Sequence, residues 1–267
     1  MNNMLGKYIP LNSFVHRLDP RVKLVSLMFL LVSVFFDAGF IGYLIMGGFV
    51  ALLASSSKIK LTQIIKSIKP MLFMMLFLVF FNILFMQTGN LILSLGFIKI
   101  YDQALIQSSY IFVRLIIIII MTTILTATTK PLDLTLGLEH LLSPLKKVGF
   151  PAHEIAMMIS IALRFIPTLM EETQRIMKAQ ASRGVDFQEG SLKEKILSII
   201  SLIIPLFISA FQKAEDLANA MESRNYNPDA KRTRYKQLKW KVADTMSLLT
   251  VLIVCASMIV LSFVLWE

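Results

Sequence analysis

The sequence predicts an all-α integral membrane protein with about five transmembrane helices and long cytoplasmic helices between the fourth and the fifth. Three observations carry this. Of the 267 residues 56% are hydrophobic and only 16% charged, and the mean hydropathy of +0.70 lies far to the apolar side of a soluble domain. The cations behind the formal net charge of +10 fall in blocks flanking apolar runs, as the positive-inside rule expects. They form no basic stripe interleaved with aromatics, so no nucleic-acid partner is expected. Charges of both signs concentrate between Thr129 and Ala243. That divides the chain into a membrane region with four spans (1–128), a cytoplasmic or interfacial region (129–243) and a final span (244–267).

In chain order, the first apolar run begins near Val22 with no small-residue cleavage site after it, so no cleavable leader is expected. Asp19-Pro20 reads as an N-cap followed by proline at the first helical position. Arg17, Arg21 and Lys23 crowd that end and place it in the cytoplasm. Val22 to Phe36 and Gly39 to Ala54 read as a hairpin of two spans with a short external turn. Lys58, Lys60, Lys66 and Lys69 mark Ser55 to Pro70 as an internal loop. Met71 to Met86 makes a third span and Tyr110 to Thr128 a fourth, while Leu91 to Ile100 alternates around Gly96 like a small external hairpin.

Leu134, Leu138, Leu141, Leu142 and Leu145 repeat at helical spacing, which predicts an amphipathic helix over Leu132 to Val148, bent or ended by Pro144. One long helix is expected after Pro151 to about Arg183 and another from about Leu192 to Arg224, with Pro167 and Pro205 as kinks. Their apolar stretches, 155–170 and 196–211, are only about 16 residues each, below the roughly 20 an upright span needs. Both are therefore read as cytoplasmic. A basic stretch returns the chain to the fifth span, Met246 to Trp266, which leaves the amino terminus inside and the carboxyl terminus outside.

The chemistry of common enzyme classes is absent from the pattern. His16, His140 and His153 lack metal-ligand spacing, and the single cysteine, Cys255, excludes an intrachain disulfide or a multi-cysteine metal site. There is no Gly-x-x-x-x-Gly-Lys-Ser/Thr loop and no motif context for a nucleophile. The proposed spans lack a central acidic residue of the kind that coupled carriers use. Arg114 is placed to snorkel, and Asn82 reads as an interhelical hydrogen-bond former. No enzyme, no metal and no cofactor held by this chain are expected.

Two segments stand out instead: Ala179-Gln180-Ala181-Ser182-Arg183-Gly184 and Ala220-Met221-Glu222-Ser223-Arg224-Asn225. Each closes a long helix with a residue that tolerates left-handed backbone, so each arginine should project from a helix end. A cation there is stabilised by the unpaired last carbonyls by roughly 0.3–1 kcal/mol, which alone would account for either arginine. Two copies of one pattern point further, because a guanidinium takes a carboxylate bidentately and an acidic groove on a partner is its counterpart.

These residues resemble the CbiQ-like transmembrane T component of energy-coupling factor (ECF) vitamin transporters, relatives of ATP-binding-cassette importers. His16-Arg17-Leu18-Asp19-Pro20-Arg21-Val22-Lys23-Leu24 resembles the family's amino-terminal signature, and Leu163-Arg164-Phe165-Ile166-Pro167-Thr168-Leu169 its central one. The two Ser-Arg segments fall where the family has paired Ala-Arg-Gly motifs, with Ser182 and Ser223 in place of alanine and Asn225 in place of the second glycine. The resemblance implies a non-catalytic scaffold in the plasma membrane. Its two coupling helices would dock Arg183 and Arg224 in two ABC-type ATPase subunits, which would bind the ATP and Mg. A separate small membrane subunit would bind the vitamin or metal ion and dock on the apolar faces of Leu132 to Val148 and of the two long helices. Met157, Met158, Met170 and Met177 suit such an adaptable surface. The competing expectation is a self-sufficient carrier or permease that itself forms the translocation path.

Overall fold

Asp19 caps the first long helix as its sequence requires: its carboxylate accepts the Arg21 amide at 2.9 Å, and Pro20 occupies the first turn, where no amide is needed. In the computed structural model, which describes residues 8–95, 98–144, 151–187, 189–227 and 238–264, the chain is almost wholly helical. The elements are α1 (Phe14–Arg17), α2 (Pro20–Ser33), α3 (Gly39–Ser56), α4 (Leu61–Phe85), β1 (Leu91–Leu95), β2 (Ile98–Tyr101) and α5 (Asp102–Thr128). They are followed by α6 (Pro131–Leu142), α7 (Ala152–Ser182), α8 (Leu192–Ser223) and α9 (Val242–Val264). β1 and β2 form the expected antiparallel hairpin.

The chain divides into two units, one of residues 6–141 with 238–267 and the other centred on 142–237. The first is a bundle in which α2 packs on α9, α3 on α5 and α9, and α4 on α5. Its core joins Leu30, Val34, Tyr43, Met46, Ile117, Met121, Val251 and Met258. Gly42 allows α3 to come close: a Cβ there would lie 2.3 Å from the Ala38 Cβ and 3.3 Å from the Met258 sulfur. Asn82 accepts a hydrogen bond from the Ser108 hydroxyl at 2.9 Å, tying α4 to α5. Arg114 reaches Asp37 at 2.9 Å and the Tyr43 hydroxyl at 2.7 Å. α6 belongs to this unit, with Gly137 set against Pro20 and Leu24 of α2, and it ends at Leu142, ahead of Pro144. Residues 145–148 of the expected amphipathic helix lie outside the described residues.

Five helices are long and apolar enough to cross a membrane: α3, α4, α5, α8 and α9. Five is also the number of spans expected, but by length and apolarity these candidates include α8 and leave out α2. α2, read as the first span, has 14 residues, about 21 Å at the helical rise, short of the roughly 30 Å hydrocarbon core. α8, read as cytoplasmic, has 32 residues with a long apolar half. Two spans also begin earlier than their apolar runs. α4 starts at Leu61 and carries Pro70 inside it, because Ile64 and Ile68 in its first turns pack with Ile59 and Ile124. α5 starts at Asp102, eight residues before Tyr110, where the strand β2 ends.

Candidate functional site

Both arginine-bearing segments fold into the same helix end. Arg183 and Arg224 are the C-caps of α7 and α8, with φ/ψ of −91/7° and −92/13°. The next residue is left-handed in each: Gly184 at φ 86° and Asn225 at φ 56°. At the first end the Val185 amide bonds the Gln180 carbonyl and the Gly184 amide the Ala181 carbonyl, both at 3.0 Å. At the second, the Tyr226 amide bonds the Met221 carbonyl at 3.0 Å and the Asn225 amide the Glu222 carbonyl at 2.8 Å. This double pattern is the Schellman motif, which satisfies the last carbonyls from the backbone itself. The arginines are therefore not needed as caps, and both are exposed. Ser182 and Ser223 turn back on their own helices, donating to the carbonyls of Lys178 at 3.0 Å and Ala220 at 3.1 Å.

α7 and α8 pack as an antiparallel pair, shown by contacts at three levels. The Tyr226 hydroxyl meets the Met157 sulfur at 2.9 Å. Lys213 of α8 pairs with Glu172 of α7 and donates to Ser209 at 2.7 Å. Gln180 donates to the Ser201 carbonyl at 3.2 Å. The Lys213 ammonium, followed by the Ser209 hydroxyl, holds the Glu172 carboxyl below the usual glutamate range. In this register Arg224 lies level with residue 159 or so, about 24 residues short of Arg183, which separates the two arginines by about 36 Å along the pair. Pro167 and Pro205 are both inside their helices. Arg164 is exposed on α7 and makes no ion pair among the described residues.

The amino-terminal signature builds a second polar centre, in the other unit. The Asp19 amide donates to Asp244 Oδ1 at 2.8 Å, while Asp244 Oδ2 accepts the Lys241 amide at 2.8 Å and so caps α9. Arg21 lies 3.7 Å from Asp19 and reaches the Leu238 carbonyl at 3.4 Å. Asp19 and Asp244 are buried. One turn on, Lys23 points inward and donates to the Thr128 carbonyl at 3.2 Å and the Thr129 hydroxyl at 3.1 Å, at the end of α5. Asp19, Pro20 and Arg21 thus fix the start of α2 against the start of α9. Arg183, Ser182 and Gly184 gather at one end of the helical pair, and Arg224, Ser223 and Asn225 at the other.

A family model for CbiQ, described as cobalt transport protein, matches residues 11–235. The energy-coupling factor transporter transmembrane protein EcfT of Lactococcus lactis subsp. cremoris is 46% identical over 263 residues, 98% of this chain and 99% of its own. The protein of the same name from Bacillus subtilis is 44% identical over 253 residues, 95% and 96% of the two chains. The chain belongs to the CbiQ family. Staphylococcus aureus has a further relative called EcfT, 41% identical over 260 residues and 97% of each chain. Likeness at this level along nearly the whole length, with five apolar helices, makes this CbiQ-family chain a multi-pass membrane protein of the energy-coupling factor transporter type.

Three residues of this CbiQ-family fold hold places that sequence reasoning did not assign. Asp244 stands 225 positions from Asp19 in the chain, and no local pattern links them. Its only signal is its place as the third residue of α9, where a carboxylate can reach back to the N-cap amide. Lys23 reads as one more cytoplasmic cation, yet only 8% of it is exposed; it caps the carbonyl end of α5 instead. His16 is a structural histidine. Its Nε2 donates to the Ile9 carbonyl at 3.0 Å, so Nδ1 accepts from the Ser13 hydroxyl at 2.6 Å, and burial pushes its pKa below 6.5. Among the described residues no group of three or more His, Cys, Asp or Glu side chains is placed to hold a metal ion.

Proposed function

We propose that this chain is the non-catalytic coupling subunit of an ATP-driven ECF importer of vitamins or other micronutrients. Two ABC-type ATPase subunits each receive one arginine-bearing end, Arg183 or Arg224, in an acidic groove and bind the ATP and Mg. A small membrane subunit carries the substrate. ATP-driven changes in the spacing of the ATPases shift α7 and α8 and reorient that subunit. The supporting observation is the pair of matching Schellman ends, in which the backbone closes each helix and leaves the arginine exposed for another molecule.

The same geometry supports reading α8 as lying along the membrane plane on the cytoplasmic side, although it is apolar enough to cross. α8 is bound along α7 over most of its length, and α7 carries Arg164, Glu171, Glu172, Arg175 and Lys178, which the hydrocarbon core would not accept unpaired. An upright antiparallel pair would also put the two arginines on opposite faces of the bilayer. Lying flat, it presents both to one compartment, the one that holds the amino terminus and the basic loops. The apolar side chains of α8 left exposed, among them Leu192, Ile196, Ile203, Phe207 and Phe211, then serve as the seat of the substrate-binding subunit. Exposed Met158, Met170 and Met177 of α7 join them; Met157 is taken up by Tyr226.

The test is Arg183→Glu combined with Arg224→Glu, expressed with the ATPase subunits and the substrate-binding subunit. The double variant should reach the membrane in normal amount yet lose the ATPases on affinity purification and lose uptake. Normal uptake by the double variant, or uptake by the purified chain alone in liposomes, would overturn the reading and favour a self-sufficient carrier.

A further inference from the structure

α3, α4 and α5 leave between them a groove of about 530 Å³ lined by Gly47, Val50, Ala51, Ala54, Ile64 and Ile117, with further aliphatic side chains of α5. Nothing in this list can pair with a polar ligand along the length of the groove; its contents must be hydrocarbon. All three helices are apolar enough to cross the membrane, so the groove faces acyl chains. The groove is open at Gly47: even a Cβ added there would meet nothing within 4 Å.

One end of the groove is chemically different. It closes on Ser55, Ile59 and Leu61, and Ile59 sits between two exposed lysines, Lys58 and Lys60. Lys58 follows the C-cap of α3 and takes left-handed backbone, φ 56°, the position where glycine is the usual residue and a side chain costs of order 1 kcal/mol. A lysine held there against its backbone preference points to a use for its charge. Lys60 is the N-cap of α4, where an ammonium offers no acceptor to the first amides and faces the positive end of the helix dipole, so its charge does not stabilise the helix end. A channel for one or two acyl chains, ended by two cations in the connecting turn, has the polarity of an anionic phospholipid.

We infer that this groove is a binding site for an anionic phospholipid, with acyl chains between α3, α4 and α5 and the headgroup phosphate between Lys58 and Lys60. The site is independent of the roles given to Arg183 and Arg224. Two lysines near a headgroup favour an anionic over a zwitterionic lipid by about fivefold each, and the neutral groove contributes equally to both lipids.

The experiment is native mass spectrometry of the intact chain released from mixed micelles containing phosphatidylglycerol and phosphatidylcholine. The wild type should retain phosphatidylglycerol over phosphatidylcholine by at least about tenfold. Lys58→Gln with Lys60→Gln should abolish that preference, whereas Lys66→Gln with Lys69→Gln, in the same basic segment but outside the groove, should keep it. Gly47→Leu, whose Cβ meets nothing within 4 Å and whose longer side chain extends into the groove, should lower retention of both lipids. Equal loss in the two lysine pairs would show only a diffuse basic surface and overturn the site. So would unchanged retention in Gly47→Leu, or displacement of the lipid by inorganic phosphate alone.

Discussion

Gly184 and Asn225 do one job with different side chains. Both supply left-handed backbone after an arginine C-cap; glycine does so without strain, and asparagine is among the few others that tolerate it. Open space surrounds Gly184, with nothing within 4 Å of an added Cβ, so the backbone angle alone sets the choice of residue. Gly184→Ala should therefore destabilise the end of α7 by about 1 kcal/mol, Gly184→Asn by less, and Asn225→Gly should be neutral to mildly stabilising. Hydrogen exchange of the Gly184 and Val185 amides in the purified chain checks this: faster exchange in Gly184→Ala than in Gly184→Asn is the expected order. The sequence made this legible because a left-handed cap is a local requirement written in one residue.

At the scale of elements, the α7/α8 pair depends on few polar contacts among the described residues, and of these Glu172–Lys213 is the one that joins opposite charges. A carboxyl held below its ordinary pKa contributes stability that is fully present above the unfolded value, about 4.3, and is lost as pH falls through the lower folded value. Glu172→Gln should leave the pair assembled at neutral pH but remove that acid sensitivity, and Glu172→Lys should splay the helices. Disulfide cross-linking at neutral pH between cysteines placed at 180 and 201 reports assembly in both variants, and an acid titration followed by circular dichroism reports the acid sensitivity. Element existence was largely readable: Asp19-Pro20, the hairpin around Gly96 and both long helices follow from local rules. Which apolar helices enter the bilayer does not follow from local rules, and length and apolarity alone put α8 in place of α2 among the candidates. Apolarity records that a face avoids water, and the same isoleucines on α8 suit lipid or a partner protein. α2 was counted as a span because Val22 to Phe36 is unbroken, while its helix stops at Ser33. The centre at Asp19 was half visible, since its cap is local and its bond to Asp244 comes only from the packing of α2 on α9.

For the whole molecule, the decisive matter is on which side of the membrane the two arginine ends emerge. Cys255 is the single cysteine and is buried in α9, so Cys255→Ser gives a cysteine-free background. In it, cysteines introduced at 184 and 225 should both react with a membrane-impermeant maleimide in inside-out vesicles, and neither in right-side-out vesicles. Labelling of the two from opposite sides would establish α8 as a membrane span and remove the basis for a common set of ATPases.

The register of α7 on α8 also sets a mechanical scale. With the two tips about 36 Å apart, the ion pair of Glu172 and Lys213 lies close to half way between them. It has the position of a fulcrum. A beam held at its middle turns by about 3° for every ångström of opposed travel at its ends, each arm being about 18 Å. Under the proposed function, small relative movements gripped at Arg183 and Arg224 would become rotation of an apolar surface, the kind of output that tips a neighbouring body without having to push it.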